Sequence, residues 1–514
     1  MPTSPDDPDA SRPLHLIIVD GLNPRLLDQE LGARRLPALA HLISRGVLLE
    51  ATSVFPTVTP TCLASLATGC TPAQHGIHGI VWWNLQEERY VSYWPSPQTL
   101  LAGTFGQVMR DILQNLNTSH LARSATTVFE RLEAAGVDSA CVNFPISRGP
   151  YQRRAHIPLL MALLGSLPAR VAMSGPRRHY AGDLLRPSLS LPRGVLGRYG
   201  ISDARATRFT RRVVKRHEAR FVLTYLPDND LYSHRWGPMN VGRELHTIDR
   251  RIGQMMASYG SFDDATNQAR WIVIGDHAQS DVGGFDGYSV NVYRAFRDLL
   301  PVPFGRKGLR GGPYDLAISP NDRSALITTP NALARQRAIA ELLQWPSVDR
   351  LIGRESEGWF WVQDPATLGS LRFRHGGPWQ DVRGGRWEIE GDPGVLDLRQ
   401  EGSTLHDGVF PDALFRIAGS PPSSDLIATA RPGWEFSTGF TMGHGNHGSL
   451  RAEDSITALI SAGVTFPAHP RITDVLPAIL EAFGLERPDC SDDGRPRASR
   501  VRPDGEPLQH PTVP

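Results

Sequence analysis

Val54–Gly79 reads VFPTVTPTCLASLATGCTPAQHGIHG. A strand returning over Val47–Phe55 ends in a threonine cluster, and the small and apolar residues Thr61–Thr68 then predict a helix. Thr57, Thr59 and Thr61 therefore gather where a helix starts, and unpaired N–H groups at such an end favour anions. The same pattern serves as an ordinary helix cap, so these hydroxyls acquire chemical meaning only from partners elsewhere in the chain.

The partners emerge on reading outward. Upstream, LHLIIV (Leu14–Val19) is the short apolar run of a buried parallel strand, and it stops at Asp20-Gly21. Downstream, Ser124–Ala135 reads as a helix and Val137–Phe144 as a strand. FVLTYL (Phe221–Leu226) runs into PDNDLYSHRWGP, Val241–Tyr259 has helical spacing, and the strand Trp271–Ile274 ends in Gly275-Asp276-His277. Alternating strands and helices predict an α/β fold with a mostly parallel sheet. Acids at strand ends, here Asp20, Asp230 after a short loop, and Asp276, lie where open α/β sheets place their ligands.

Asp349–Leu398 changes character. Its short runs WFWV, SLRFR and RWEIE between Gly and Pro predict a small antiparallel β subdomain. Asp425–Arg431 resumes the core pattern, followed by GHGNHGS, a strand ending at Ala462 and a last helix, Ile472–Phe483. A short apolar helix is expected near Pro158–Leu167. The domain reading is a disordered segment 1–13, a discontinuous core 14–290 and 405–486, an insertion 291–404, and a disordered tail 487–514.

The 54 basic and 53 acidic residues leave a formal charge of +1, which excludes the basic excess of a dedicated nucleic-acid binder. The four cysteines form no CxxC pair and are too sparse for a disulfide framework, so reduced, buried thiols are expected. The polar N-terminus has no apolar core for a secretory signal, and no run reaches membrane-span length. The expectation is a cytoplasmic protein acting on a small substrate, without membrane or nucleic-acid polymer.

Asp230 and His234, four residues apart, point the same way on one helical turn and can grip one cation. Asp276 and His277 can converge where a strand turns. His447, between Asn446 and Gly448, sits on a loop able to approach a metal, with His444 as its competitor. Oxygen and nitrogen ligands without thiolate suit Zn²⁺, with Mn²⁺ the alternative. Two such ions about 4 Å apart clamp the attacking and leaving oxygens of a phosphoryl displacement.

The ordered set IIVDG (Asp20), FPTVT (Thr59), ATGCTPAQHGI (Ala67–Ile77), DNDLYSHRWGP (Asp230, His234), GDH (Asp276, His277) and NHG (His447) resembles the alkaline phosphatase superfamily, and within it the type I phosphodiesterase / nucleotide pyrophosphatase family. The likeness covers roughly Leu14–Val282 and Asp425–Phe483, in order, and is specific as a set. It implies an alkaline phosphatase-like central sheet flanked by helices, with the β-rich region as an insertion. It implies Thr59 as nucleophile and metal ligand, with Thr57 and Thr61 in capping or packing roles. Asp20, Asp276 and His277 match the ligands of the metal beside the nucleophile. Asp230, His234 and His447 match those of the other; His447 is preferred because the family's last ligand precedes Gly and then a segment leading into a core strand, here SITALI. The implied reaction is hydrolysis of a phosphate ester through a phospho-threonine, a diester before a monoester. A phosphonate hydrolase or a phosphomutase is the alternative on the same scaffold.

The sequence also departs from the family. Nucleotide pyrophosphatases usually carry an Asn shortly after HGI that binds a non-bridging oxygen, and this chain has Ile80 there. Such a donor is worth roughly 10²–10³ in rate. Asn84, four residues on, is the candidate substrate-binding replacement, with His78 or an arginine as alternatives. Ser233 stands where the family has Gly before the metal-binding His.

Overall fold

The computed structural model describes residues 11–157, 170–185, 200–285, 287–439, 441, 443–487 and 500–501. The helix expected near Pro158–Leu167 and nearly all of the tail from 487 lie outside them.

Seven strands form the central sheet. In chain order they are β1 (Leu14–Val19), β2 (Val47–Thr52), β3 (Ser139–Val142), β4 (Arg178–Tyr180), β5 (Phe221–Leu226), β6 (Arg270–Gly275) and β7 (Ile456–Ala462), arranged β2-β7-β6-β1-β5-β3-β4. The strands β6, β1, β5, β3 and β4 are mutually parallel, whereas β7 runs antiparallel to both β6 and β2. The expected mostly parallel, alkaline phosphatase-like α/β sheet is therefore present.

β1 is buried throughout, and its alternation divides the core. Leu14, Leu16 and Ile18 join the apolar cluster beneath α1 (Thr59–Thr68), while Ile17 and Val19 join that beneath the helix Gly242–Met256. Leu245, Ile248, Ile252 and Met255 supply the apolar stripe of that helix, so both faces of the sheet are covered. The register aligns the ends of three strands: Val19 of β1 faces Gly275 of β6 and Leu226 of β5. Whatever follows these strands emerges together at one edge.

The β-rich region is larger than a small subdomain. It forms a second sheet of nine strands. Leu426–Ala430, which the sequence groups with the core, pairs instead with Ser324–Thr328 and Val348–Arg354 of this sheet. Apolar runs read alike in either sheet, and only long-range pairing separates them. Other expectations shift locally. Arg12 is tied to the carbonyls of Thr266 (2.6 Å) and Ala269 (3.2 Å), so order begins before Leu14. Cys62 and Cys141 are free and buried, but Cys70 is disulfide-bonded, contrary to the expectation of reduced thiols. Trp82, Trp83 and Tyr90 are buried packing residues. No helix among the described residues is long and apolar enough to cross a membrane.

Candidate metal centre

Asp20 directly follows β1, Asp276 directly follows β6, and α2 (Asp228–Trp236) starts two residues after β5, bringing Asp230 and His234. The turn at Gly21 has φ +66°, and a Cβ there would meet Asp230 Oδ1 at 3.2 Å. Glycine thus gives the turn and lets the acid of α2 approach. His447 precedes the antiparallel β7 and so reaches the same edge.

Two groups of ligand atoms result: Asp20, Asp276 and His277, and Asp230, His234 and His447, each with its ligand atoms within 4.8 Å of one another. In the first, His277 Nε2 lies 3.5 Å from Asp20 Oδ1 and 3.4 Å from Asp276 Oδ2. Those two carboxylate oxygens are buried without a hydrogen-bond partner. Their companion oxygens are anchored: Tyr225 donates to Asp20 Oδ2, and the N–H groups of Gly21 (3.1 Å) and His277 (3.0 Å) donate to Asp276 Oδ1. In the second group, Asp230 Oδ2 is 3.4 Å from His234 Nε2 and Asp230 Oδ1 is 3.7 Å from His447 Nε2. Gln279 holds Asp230 Oδ1.

The imidazoles are oriented alike. Nδ1–H donates to a backbone carbonyl in each: His234 to Gly445 (2.8 Å), His277 to Ala278 (3.1 Å) and His447 to Thr57 (2.7 Å). This leaves Nε2 of each ring facing the carboxylates, where the neutral ring would present its lone pair, as for metal-ligating histidines. His277 and His447 stack with centroids 3.8 Å apart, joining the two groups. Orphaned carboxylate oxygens and inward lone pairs fit a pair of divalent cations.

Thr59 is the first residue of α1, and its Oγ1 lies 3.1 Å from His277 Nε2. The structure separates it from its neighbours. Thr57 Oγ1 donates to the Ser449 carbonyl (2.9 Å) and accepts from the buried Arg416 (2.9 Å), and Thr61 is buried inside the helix packing. All seven residues expected from the sequence therefore meet. His444 does not take the place of His447; its backbone N–H donates to the His234 carbonyl (2.7 Å).

Asn84, the expected substrate-binding residue, turns its amide to its own hairpin. It ends the strand Val81–Asn84, and its amide caps the following turn, accepting from Gln86 N (2.9 Å) and Glu87 N (3.1 Å) and donating to Glu87 Oε1 (3.2 Å). At Ile80 the backbone N–H is itself taken, by Asn321 Oδ1 at 2.6 Å. Sequence reasoning missed Tyr225, Gln279 and Asp322. Asp322 Oδ2 lies 3.8 Å from His447 Nε2. Gln279, two residues past His277, is the only one near a motif; the other two carry no local signal.

The charges explain what a cation would do. Burial, then Asp276 and Asp230, push Asp20 well above the usual carboxylate range. Burial and Asp230 lift Asp276 to about 7. Burial would lower His234, but Asp230 outweighs it and raises the imidazole to about 9, while burial and His277 lower His447 to about 3. Asp276 and His234 both hold protons in the metal-free fold that their unfolded counterparts lose at lower pH. Each contributes stability present below its unfolded value and lost as pH rises through its folded value, about 7 and about 9. Metal binding requires both groups deprotonated. The rise in Tm on adding a divalent cation to chelator-treated protein is therefore expected to grow from pH 5 to pH 8. Thermal scans with and without metal test this; a gap that shrinks over that range would contradict it.

Comparison with known proteins agrees with this geometry. A family model, type I phosphodiesterase / nucleotide pyrophosphatase, matches residues 14–340. That span holds every ligand above except His447, which lies beyond it and rests on the NHG motif and the structure. Murine ectonucleotide pyrophosphatase / phosphodiesterase 5, an inactive threonine-to-alanine form in complex with AMP, superposes with a TM-score of 0.55 at 13% identity, covering 92% of this chain and 95% of that one. The human protein of the same name gives 0.54 at 15% identity, covering 93% and 96%. At such identity the likeness shows the shared fold. No protein in the curated set matches by sequence. With the family match spanning most of the chain, the chain belongs to the type I phosphodiesterase / nucleotide pyrophosphatase family, whose members are metal-dependent hydrolases of phosphoric esters.

Proposed function

We propose that this protein hydrolyses phosphodiesters with two bound divalent cations, zinc on the chemistry of the ligands, through a covalent intermediate on Thr59. The observation that carries the reading is Thr59 Oγ1 at the N-terminus of α1, 3.1 Å from His277 Nε2 and beside two preorganised ligand groups. Asp20, Asp276 and His277 would hold one cation and Asp230, His234 and His447 the other. When bound, the cations supply positive charge and Lewis acidity to the attacking and leaving oxygens.

The chain's own residues do the rest. Thr59 gives up its hydroxyl proton to solvent and Oγ1 attacks phosphorus; the Oγ–P bond forms as the bond to the leaving oxygen breaks, and that oxygen takes a proton from solvent. The unpaired N–H groups of α1 face the phosphoryl charge. Water then attacks phosphorus, the Oγ–P bond breaks, and Thr59 regains its proton. Tyr225 and Gln279 keep Asp20 and Asp230 in place throughout. The AMP bound by the murine protein supports a nucleotide-like small substrate. The disulfide at Cys70 favours an oxidising compartment over the cytoplasm expected from the sequence.

Parallel assays of p-nitrophenyl phosphate, bis-p-nitrophenyl phosphate and a p-nitrophenyl nucleotide ester test the substrate class. Higher kcat/KM for the two diesters is expected. A clear preference for the monoester would overturn the diesterase assignment.

A further inference from the structure

Arg416 is a buried residue of the short helix Ala413–Ala418. Ala413, Leu414 and Ile417 of that helix share an apolar cluster with Phe373 and Trp387 of the second sheet, which anchors its backbone there. The arginine side chain reaches the loops around the candidate metal centre. Its Nη2 donates to Thr57 Oγ1 (2.9 Å) and Ser455 Oγ (2.6 Å), and its Nη1 to the carbonyls of Leu450 (2.9 Å) and Pro411 (3.1 Å). Thr57 Oγ1 in turn donates to the Ser449 carbonyl (2.9 Å). One guanidinium thus ties together the segment before Thr59, the segment after His447 and the residue before β7.

Thr57 is the joint between these segments. Its carbonyl accepts from His447 Nδ1 (2.7 Å), and two residues on, Thr59 Oγ1 lies 3.1 Å from His277 Nε2. The placing of Thr57 therefore governs an imidazole of one ligand group and the approach of the hydroxyl to the other. The partner of a ligating imidazole's second nitrogen orients the ring and tunes its strength as a ligand. A planar guanidinium, with donors fixed in a fork, holds such a joint more firmly than a flexible ammonium would. Burying a charge costs stability, and these partners are neutral carbonyls and hydroxyls, so the contact serves geometry rather than ion pairing.

We infer that Arg416 is a positioning residue: through Thr57 it sets His447 for one cation and Thr59 for the phosphoryl group, although it is itself no ligand. The inference rests on the two-cation reading.

The test is a zinc titration of the full chain against a chromophoric chelator, with kinetics on p-nitrophenyl thymidine 5′-monophosphate at saturating zinc. Arg416→Met is expected to weaken one of two bound zinc ions about tenfold and leave the other unchanged. It is expected to lower kcat about 10²-fold with KM within about threefold, because a small displacement of the reacting hydroxyl is costly. Thr57→Val keeps the carbonyl but removes the hydroxyl that Arg416 holds; it should weaken the same zinc ion, and adding it to Arg416→Met should bring little further loss. Arg350→Met is the control, since it removes a buried arginine's hydrogen bonds to Val395 and Asp349 within the insertion and should lower Tm without altering zinc affinity. Unchanged zinc affinity in Arg416→Met overturns the inference, as do additive losses in the double variant or an equal weakening in Arg350→Met. Should Arg416→Met not fold, Thr57→Val decides alone, and unchanged zinc affinity there overturns the inference. A wild type that binds no second zinc ion would instead refute the two-cation reading, and the inference with it.

Discussion

Replacing Thr59 by alanine is expected to lower diester hydrolysis by about 10³-fold or more while leaving bound metal and fold intact. The split follows from geometry. Thr59 Oγ1 is the only hydroxyl of the threonine cluster placed against His277; Thr57 is tied to Ser449 and Arg416, and Thr61 is buried in helix packing. Each metal position retains its carboxylates and imidazoles without Thr59. The substitution removes only two atoms beyond Cβ at a partly buried position, so little stability is lost. Thr59→Ser, which keeps the hydroxyl, should recover most of the activity. Metal analysis and kinetics on the same preparation check this; alanine and wild-type rates within tenfold of each other would remove Thr59 from the chemistry.

Asp230→Asn is expected to fail differently. It should lower bound metal from about two ions per chain to about one and reduce kcat/KM by about 10³-fold. Asp230 is the only carboxylate in the group with His234 and His447, and it faces both imidazoles, at 3.4 and 3.7 Å. An amide offers no charge to a cation. It also withdraws the charge that holds the His234 imidazole at about 9, so that burial would then lower that group. The metal-induced rise in Tm should shrink accordingly. Equal metal content in Asp230→Asn and wild type, measured after removal of loosely bound ions, would contradict the assignment of this residue.

The parts legible in the sequence were those whose signal is local. Asp20 and Asp276 each follow an apolar run directly, and such a run read as a strand already fixes where its end lies. Asp230 and His234 share one helical turn; Gly follows both His444 and His447, and the segment leading into the core strand after Gly448 is what favours His447. Asn84 follows from counting along the chain from Ile80, and counting does not reveal that a hairpin turn just past it engages its amide. Leu426–Ala430 has the composition of a core strand and pairs in the second sheet. Asp322 sits at a hairpin tip 45 residues past His277, in a region read as an insertion, and only the packing of that hairpin against the His447 loop brings it to the site. Tyr225 alternates within an ordinary strand and shows its purpose only when Asp20 lies opposite its hydroxyl. The second sheet thus reaches the candidate metal centre, bringing Asp322 against His447.

The covalent role of Thr59 is the centre of the account, and the configuration at phosphorus reports it most directly. Hydrolysis of a diester made chiral at phosphorus, in isotopically labelled water, gives a product whose configuration counts the displacements. Attack by Thr59 followed by water is two in-line steps, and net retention is the predicted result. Net inversion would mean that water attacks the substrate directly, and it would contradict the role assigned to Thr59.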